Sequence, residues 1–279
     1  MKFEEMINTI QLGDCYELIK KIPDKSIDLI VIDPPYEYIR GGKSECFGEK
    51  SRNYHKEYSN LYHETGTSKE TERLRIMANS QKSLKNIKKI CQGFDYSILD
   101  EFMRIMKHPN IYIWCSKKQL GKLINYFEER KCYIDLITWH KTNPLPLCNT
   151  YLSDTEYCIF ARAKGSYFKG TYETLRKYYI DSSNVEDKKL YDHPTIKPLN
   201  IIKNLILNSS KEEDIVLDCF CGSGTTCVAA KETGRRYIGM EIDPEYHKIA
   251  VDRLNGILAN GQTTIFTDFS QLEKEKQND

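Results

Sequence analysis

The sequence contains no long apolar run and almost no net charge. None of its hydrophobic stretches approaches the roughly 18 consecutive apolar residues that a membrane-spanning helix requires. The N-terminal residues Met1–Met6 lack the apolar core of a signal peptide, so we expect a cytoplasmic protein. The formal net charge of +1 neither indicates nor excludes a polyanionic partner. With 279 residues, 40% hydrophobic and 29% charged, the chain can bury a full core.

Motifs that bind metals or phosphates are also missing. The ten cysteines are scattered, with no Cys-x-x-Cys and no His/Cys pairing at zinc-finger spacing. The nearest candidate is the group Cys219, Cys221 and Cys227, but that segment has a simpler interpretation, and no metal site is expected. The pattern Gly-x-x-x-x-Gly-Lys-Ser/Thr does not occur, which excludes a phosphate-binding loop of that type.

What the sequence does contain is an alternation of strand-like and helix-like runs. This alternation predicts an α/β fold with a mostly parallel sheet covered by helices on both faces. The predicted strands are Leu29–Ile32, Asn110–Cys115, Ile134–Trp139, Glu156–Phe160, Ile215–Cys219 and Tyr237–Met240. The predicted helices are Tyr96–Met106, Gln119–Arg130, Leu199–Leu207, Thr225–Glu232 and Pro244–Leu254.

One long segment, residues 40–92, departs from this alternation. It has no strand signal and carries twelve Lys or Arg residues against six Glu. Its tyrosines 54, 58 and 62 would form one aromatic stripe on a helix. Such a segment is typical either of a solvated surface insertion or of an element that neutralises phosphates and stacks on bases. On the second interpretation, the predicted contacts with nucleic acid are Arg40, Lys43, Arg52 and Lys56.

The C-terminal third contains a strand, a glycine-rich turn, a helix, a second strand and an acid. The turn is Phe220–Thr226 and the acid is Glu241. Gly222 and Gly224 allow a ligand to approach the backbone closely, and the helix that starts near Thr225 directs its free N–H groups at negative charge. Glu241, at the tip of the second strand, can accept both hydroxyls of a ribose. This segment predicts a site for an adenosine-containing ligand.

The residues around the turn narrow the choice of ligand. The dinucleotide fingerprint needs a third small residue at Cys227, where no glycine stands, and this disfavours a nicotinamide-dependent oxidoreductase. Asp218, just before the turn, suits the ammonium group of an amino-acid-bearing nucleoside better than it suits a pyrophosphate. The turn therefore favours S-adenosylmethionine. The residues predicted to bind it here are Asp218, Phe220, Cys221, Gly222, Ser223, Gly224, Thr225, Thr226 and Glu241.

Far upstream, the predicted strand Leu29–Ile32 runs directly into Asp33, Pro34, Pro35 and Tyr36. An exocyclic amine on a nucleobase is a poor nucleophile, because its lone pair is delocalised into the ring. The Asp33 carboxylate and the Pro34 carbonyl, each accepting one N–H, would localise that lone pair and aim it at a methyl donor. Consecutive prolines keep the acceptors rigid, and Tyr36 can stack on a base that has left its helix. A strand that simply ends in a proline turn would explain the prolines alone.

These motifs, taken in their order along the chain, resemble those of the DNA amino-methyltransferases. The resemblance rests on Asp33–Tyr36, Phe220–Gly224, Gly239–Glu241 and His193–Pro198. The catalytic motif precedes the cofactor motif, as it does in the β class of this family. The resemblance implies a Rossmann-like, circularly permuted fold that uses S-adenosylmethionine and acts on double-stranded DNA. Family members with Asp first in the tetrapeptide usually methylate adenine, so N6 of adenine is favoured over N4 of cytosine.

The resemblance also assigns cofactor contacts to segments whose local sequence says little. It places Asp14 and Cys15 beside the adenine ring of the cofactor, although Asp14 is equally consistent with a helix N-cap. It places Asp33 at the border between the cofactor and the base. The family segment that packs against the methionine end of the cofactor corresponds here to His193, Thr195 and Lys197.

The same resemblance predicts how the chain is divided. A catalytic domain comprises residues 1–36, 93–164 and 193–260, with a basic insertion at 37–92, a short variable segment at 165–192 and a tail at 261–279. Because the usual recognition region is only about thirty residues long here, we expect the insertion to share in target recognition. Lys141 and Asn143 fall where the family carries a loop near the flipped base, with ordinary loop structure as the alternative.

Other functions remain compatible with these motifs. Methylation of cytosine N4, of RNA or of a protein glutamine amide would need similar acceptors, and a catalytically silent nucleotide- or DNA-binding module is a further alternative. The absence of a Pro-Cys dipeptide excludes the nucleophile of a carbon-5 cytosine methyltransferase. A localised DNA footprint, a homodimer and a restriction endonuclease counterpart are additional expectations.

Overall fold

The computed structural model describes residues 2–37, 93–144, 151–182, 191, 196–258 and 261. Its strands are β1 (Thr9–Leu12), β2 (Leu29–Ile32), β3 (Asn110–Cys115), β4 (Tyr133–Lys141), β5 (Thr155–Arg162), β6 (Tyr178–Asp181), β7 (Ile215–Asp218) and β8 (Arg236–Glu241). Its helices are α1 (Phe3–Met6), α2 (Cys15–Leu18), α3 (Ile98–Ile105), α4 (Lys117–Glu129), α5 (Leu199–Ser209), α6 (Thr225–Glu232) and α7 (Pro244–Leu254). The predicted site residues that lie outside the described ranges are Arg40, Lys43, Arg52, Lys56, His193 and Thr195.

The eight strands form one sheet in the order β1-β8-β7-β2-β3-β5-β4-β6. Neighbouring strands are parallel except around β5, which is antiparallel to both β3 and β4. The predicted mostly parallel α/β fold is therefore confirmed. The carboxyl ends of the parallel strands meet along one edge of the sheet. Because β5 runs the opposite way, its first residues, including Glu156, lie at this same edge opposite Trp139 near the end of β4.

The middle of the sheet is buried on both faces. In β2, Ile30 and Ile32 enter one core while Leu29 and Val31 enter the other, as the two-residue period of a strand requires. Helices α3 and α4 cover the first core, and α5, α6 and α7 cover the second. Burying each such aliphatic side chain contributes about 1.5–3 kcal/mol, so the apolar runs dictate this layering. Within the described ranges, no helix has both the length and the apolar character needed to cross a membrane.

The outer part of the sheet differs from the sequence prediction. No strand is predicted at Tyr178–Asp181, yet this stretch forms β6 beside β4 at the end of the sheet. The described part of the variable segment 165–192 thus contributes a strand to the catalytic sheet. Its side chains alternate between exposed and half-buried, and Ile180 is 69% exposed, so the apolar signal of a buried strand is lacking. The predicted strands and helices themselves agree with the observed ones to within about two residues at each end.

Candidate active site

A cavity of about 300 Å³ opens at the carboxyl edge of the sheet. This is the edge at which open parallel sheets usually bind ligands, and the volume is at the lower end of the range for small-molecule sites. Because β2 and β7 are neighbours, the two motifs that are far apart in sequence both reach the cavity. The predicted site residues along its wall are Asp14, Cys15, Asp33, Pro35, Lys197, Asp218, Phe220, Cys221, Gly222, Ser223, Thr225, Thr226 and Glu241.

The shape of the glycine-rich turn depends on Gly224. Its φ of 77° lies in the left-handed region, and a Cβ added there would lie 3.0 Å from the Cβ of Ala250. The next residue, Thr225, begins α6, and Thr225 and Thr226 border the cavity. The first turn of a helix has N–H groups without helical partners and a partial positive charge. This end of the cavity therefore favours an anionic group.

A buried guanidinium supports the turn from the protein side. Arg253 in α7 donates to Oγ1 of Thr225 at 2.7 Å and to Oγ of Ser223 at 3.3 Å, and it is only 3% exposed. The hydroxyls of Ser223 and Thr225, which the sequence assigns to the cofactor, are thus already bonded to the protein. The sequence gives no signal for Arg253, because an arginine in an amphipathic helix usually faces solvent.

Glu241, the last residue of β8, links two backbone segments around the cavity. Its Oε2 accepts a hydrogen bond from the N–H of Gly222 at 2.8 Å, and its Oε1 accepts one from the N–H of Asp243 at 2.9 Å. Burial raises the pKa of this carboxyl, and these two hydrogen bonds oppose the shift. Each oxygen keeps a second lone pair, so the side chain can still accept the two hydroxyls of a ribose.

Asp218, the last residue of β7, is a buried carboxyl whose pKa is close to neutral. Burial raises the pKa to about 7 against the opposing hydrogen bonds from Thr226 and the N–H of Phe220, while the carboxylates of Asp33 and Glu241 add to the rise. Three acidic side chains therefore converge on one cavity. Such a group attracts a cation, and the ammonium of an amino acid is one that fits.

Asp14 and Cys15 reach the cavity from the loop after β1. Asp14 caps α2, because its Oδ1 accepts the N–H of Tyr16 at 2.9 Å. The N-cap interpretation of Asp14 is therefore confirmed, and the residue still borders the cavity. Burial, assisted by the charge of Asp14, raises the pKa of the Cys15 thiol to about 12, so this thiol is a packing group and not a nucleophile.

The carboxylate of Asp33 has one bonded oxygen and one without a donor. Its Oδ2 accepts a hydrogen bond from Nζ of Lys197 at 2.5 Å, whereas no donor in the described part of the chain reaches the buried Oδ1. A buried acceptor without a donor costs about 1–3 kcal/mol, so it indicates a position where a ligand donates. The Pro34 carbonyl likewise takes part in no hydrogen bond among the described residues.

The rest of the tetrapeptide is anchored by its neighbours. Nε2 of Gln119, a fully buried residue of α4, donates to the carbonyl of Pro35 at 3.2 Å. The hydroxyl of Tyr36 donates to Oε2 of Glu156 at 3.3 Å and accepts from Nζ of Lys197 at 3.2 Å. Burial and the nearby carboxylates of Asp33 and Glu156 hold the pKa of the Tyr36 phenol well above its usual value. Pro34 and Tyr36 do not line the cavity, whereas Asp33, Pro35 and Lys197 do.

Lys197, which the resemblance assigns to the methionine end of the cofactor, lies between the cavity and the tetrapeptide. It borders the cavity, but its ammonium is bonded to Asp33 and lies 3.0 Å from Oε2 of Glu156. Burial by itself would lower the pKa of Lys197, but the two carboxylates outweigh burial and raise that pKa above its usual value. The side chain of Lys197 therefore stays an ammonium, paired with the carboxylates of Asp33 and Glu156 beside the tetrapeptide.

Lys141 and Asn143, the predicted contacts near the flipped base, are not part of the cavity wall. Lys141 ends β4, and its Nζ lies 2.5 Å from Oε1 of Glu156. Burial would raise the pKa of Glu156, but the ammonium groups of Lys197 and Lys141 lower it to about 2. Glu156 thus connects Tyr36, a predicted catalytic residue, with Lys141, a predicted DNA contact. The sequence does not reveal this position, because a single Glu in a strand has no distinctive pattern.

The remaining wall residues include aromatic side chains that the sequence does not single out. Trp114, Tyr16 and Tyr246 border the cavity. Trp114 is 1% exposed, and its indole N–H has no acceptor in the described part of the chain. Aromatic residues within an apolar strand such as β3 are usually core, so only the cavity reveals them as candidate ligand contacts.

The three cysteines at the turn do not resemble a metal site. Cys219, Cys221 and Cys227 are buried, and burial raises the pKa of the Cys219 thiol well above its usual value. Within the described ranges, no group of three His, Cys, Asp or Glu side chains is arranged to hold a metal ion. The thiols act as small apolar side chains, that of Cys219 in the first core and those of Cys221 and Cys227 in the second.

Known proteins with the same architecture are DNA methyltransferases. The type II methyltransferase M2.LlaDCHI of Lactococcus lactis subsp. cremoris is 31% identical over 265 residues, covering 87% of this chain and 87% of that protein. The structure of the M1.HpyAVI–SAM complex has a TM-score of 0.58 at 24% identity, covering 88% of this chain and 98% of that one. The cytosine-N4-specific PvuII DNA methyltransferase has a TM-score of 0.59 at 16% identity, covering 96% of this chain and 91% of that one.

A family model extends this likeness across most of the sequence. The model N6_N4_Mtase, described as DNA methylase, matches residues 27–252. The match includes both the tetrapeptide that follows β2 and the glycine-rich turn that follows β7. The resemblance to DNA amino-methyltransferases and the Rossmann-like methyltransferase fold are therefore confirmed, and the chain belongs to the DNA methylase family.

Proposed function

We propose that this DNA methyltransferase transfers the methyl group of S-adenosylmethionine to the N6 amine of an adenine that has turned out of double-stranded DNA. The observation that carries the proposal is the buried Oδ1 of Asp33, an acceptor at the wall of the cavity that no donor among the described residues reaches. An exocyclic amine has two N–H groups. One can donate to Asp33 and the other to the Pro34 carbonyl, so the base would complete the hydrogen bonding that the protein leaves open.

The cavity suits S-adenosylmethionine along its whole length. Asp218 would hold the ammonium group, the first turn of α6 would face the carboxylate, and Glu241 would bind the ribose hydroxyls. Asp14 and Cys15 border the place where the adenine ring would lie. The solved complex of M1.HpyAVI with SAM, on the same fold, supports this choice of cofactor. The bound cofactor supplies an electrophilic methyl group on a sulfonium.

The residues of this chain prepare the amine and receive its proton. The hydrogen bonds to Asp33 and Pro34 fix the nitrogen and direct its lone pair toward the methyl carbon. As the N–C bond forms and the S–C bond breaks, positive charge develops on the nitrogen beside the negative charge of Asp33. A proton then passes from the nitrogen to Oδ1 of Asp33. Tyr36 would stack on the base, and its neutral phenol stays bonded to Glu156.

The choice of adenine depends on the first residue of the tetrapeptide. Asp33 favours adenine within this family, whereas the fold does not distinguish the two bases, because the cytosine-N4-specific PvuII enzyme has the same architecture. Nucleoside analysis of DNA that carries a labelled methyl group decides between them. N6-methyladenine is the expected product, and N4-methylcytosine would support the alternative. Cofactor and DNA binding without any transfer would instead indicate a catalytically silent module.

The decisive test of the mechanism is Asp33→Ala. We expect methyl transfer to fall below detection while the variant keeps its circular dichroism spectrum, because the acceptor for the amine is lost. Its melting temperature should fall, because the buried ammonium of Lys197 also loses one of its two carboxylate partners. Asp24→Ala is the matched control, since Asp24 precedes the same strand and its side chain is 73% exposed. Retained transfer by the Asp33 variant would overturn the role of this carboxylate.

The partners of this activity follow from the same proposal. The basic insertion, with Arg40, Lys43, Arg52 and Lys56, would contact DNA together with Lys141 and Asn143. A cytoplasmic location and a restriction endonuclease counterpart belong to the same proposal. A homodimer would extend a DNA footprint that the net charge of +1 keeps small. Size-exclusion chromatography with light scattering, with and without DNA, tests the homodimer.

A further inference from the structure

Four charged side chains form a continuous chain behind the tetrapeptide. Nζ of Lys197 lies 2.5 Å from Oδ2 of Asp33 and 3.0 Å from Oε2 of Glu156, and Nζ of Lys141 lies 2.5 Å from Oε1 of Glu156. The Lys197 side chain is 8% exposed and that of Glu156 is 18% exposed, so the central pair is largely removed from water. The chain contains two negative and two positive groups, which balances its charge.

The period of the strands explains how these residues meet. Asp33 continues the row of Leu29 and Val31, and Glu156 continues the row of Cys158 and Phe160, on the face of the sheet that carries the second core. Because β5 is antiparallel to its neighbours, Glu156, its second residue, lies at the edge of the sheet where Asp33 directly follows β2.

The segment that leads into α5, on the same face of the sheet, supplies the cation. Lys197 stands two residues before the first residue of α5, and its ammonium lies 5.3 Å from the centre of the Trp114 ring. The ammonium of Lys141 likewise lies beside an indole, 5.2 Å from the centre of the Trp139 ring. The two indole rings contact each other, so the two cations lie beside neighbouring rings, with Glu156 bonded to both cations.

Stability alone does not account for this arrangement. Removing a lysine and two carboxylates from water costs several kcal/mol per ion, and an apolar group of similar shape often stabilises a core as well or better. Buried ion pairs are useful where they hold a group in a single geometry. Here that group is Asp33, whose second oxygen must point at the amine.

We propose that Glu156, acting through Lys197, is a positioning residue that fixes the orientation of the Asp33 carboxylate. Lys197 occupies Oδ2, which leaves Oδ1 as the acceptor for the base. Glu156 holds the ammonium at this place, and its other oxygen is held in turn by Lys141. Lys197 therefore serves the base and not the methionine end of the cofactor. The inference rests on the proposed function, because the amine is the group for which Asp33 is oriented.

The test uses Glu156→Gln, Lys197→Met and the double variant in the full-length protein. We expect each single variant to lower the single-turnover rate of DNA methylation about 10- to 100-fold at saturating cofactor, because small misplacements of a reacting group have effects of this size. The dissociation constant for S-adenosylmethionine, measured by calorimetry, should change by less than about threefold. The double variant should be no slower than Lys197→Met, because Glu156 acts through Lys197.

A matched ion pair supplies the control. Lys203 and Glu232 join α5 to α6 away from the tetrapeptide, and Lys203→Met and Glu232→Gln should keep the wild-type rate. A wild-type rate for Glu156→Gln would overturn the inference. A loss of cofactor affinity with an unchanged rate at saturation would also overturn it, because Lys197 would then be a cofactor ligand. Wild-type protein that methylates no DNA would instead refute the proposed function, so the two failures are distinct. Glu156→Gln keeps the side-chain shape, so its single-turnover rate tests the positioning role of Glu156 even if Lys197→Met does not fold.

Discussion

Burial raises the pKa of the Asp218 carboxyl to about 7, so this group changes its charge in the range around neutral pH. Burial and the neighbouring carboxylates of Asp33 and Glu241 raise that pKa, and an ammonium group in the cavity would lower it again by stabilising the charged form. Binding of the cofactor and ionisation of Asp218 should therefore be linked. The sign is that of an acid whose charged form binds the ligand: affinity is full above the pKa and is lost as the pH falls below it.

We accordingly predict that the affinity for S-adenosylmethionine falls roughly tenfold between pH 7.5 and pH 6. Asp218→Asn should bind more weakly at pH 7.5 and lose this dependence, because the amide cannot ionise. Calorimetric titrations at four pH values measure both effects. The range stops at pH 7.5 because an α-amino group loses its own proton at about pH 7.7–8.0. An equal pH dependence in the variant would show that another group titrates.

At the scale of secondary structure, α6 and α7 together support the glycine-rich turn at the predicted cofactor site. Gly224 lets the chain turn from β7 into α6, and Arg253 ties that turn to α7 through Ser223 and Thr225. The close approach of Gly224 to Ala250 joins the two helices at the level of the cavity. A change in this contact should therefore affect folding and cofactor binding together.

Gly224→Ala tests this contact. The new Cβ would meet both a left-handed φ and the Cβ of Ala250 at 3.0 Å, so we expect a loss of about 2–4 kcal/mol in unfolding free energy, together with weaker cofactor binding. Gly234→Ala is the control, because Gly234 has a similar φ of 72° and the new Cβ would lie 3.8 Å from Cγ of Glu212, an ordinary van der Waals contact. The control should lose only about 1–2 kcal/mol. Equal losses in urea denaturation of the two variants would show that the contact with Ala250 is unimportant.

On the scale of the whole molecule, charge is distributed unevenly along the sequence. Residues 40–92 carry six more basic than acidic residues, so the rest of the chain carries five more acidic than basic ones. Three of those acids, Asp33, Asp218 and Glu241, converge on the cavity. An acidic site repels the phosphates that it must approach, and a basic segment that directly follows Tyr36 in sequence can offset that repulsion.

We predict that changing Arg40, Lys43, Arg52 and Lys56 to Gln weakens DNA binding and lowers the slope of log K against log salt by about 3–4, since each phosphate contact contributes about 0.9. Fluorescence anisotropy titrations between about 50 and 200 mM salt give both the DNA affinity and the slope. The control changes four lysines that precede the parallel strands β2, β7 and β8, namely Lys20, Lys21, Lys211 and Lys231. Because the amino ends of these strands lie at the edge of the sheet opposite the cavity, these lysines lie away from the site. An equal loss of slope in the control would show that only total charge matters.

Much of this architecture could be predicted from local sequence. The strands and helices of the buried layers follow from apolar runs of the correct period, and α6 and α7 have the predicted bounds because Gly224 and Pro244 mark where they begin. The edge strand β6 was not predictable, because its stability comes from pairing with β4 and not from an apolar pattern. The reversed direction of β5 also depends on its neighbours and not on its own residues.

The sequence by itself determined the chemistry of the two motifs, since a carboxylate with two prolines and an aromatic ring, or a turn rich in glycine, has few uses whatever surrounds it. The tertiary structure decided which atoms remain open for ligands. It bonded Oδ2 of Asp33 to Lys197, left Oδ1 without a donor among the described residues, and brought Glu156 from an antiparallel strand to hold Lys197 in place. Such assignments depend on contacts between residues far apart in the sequence, such as Asp33 and Lys197, which are 164 positions apart, and local sequence carries no record of those contacts.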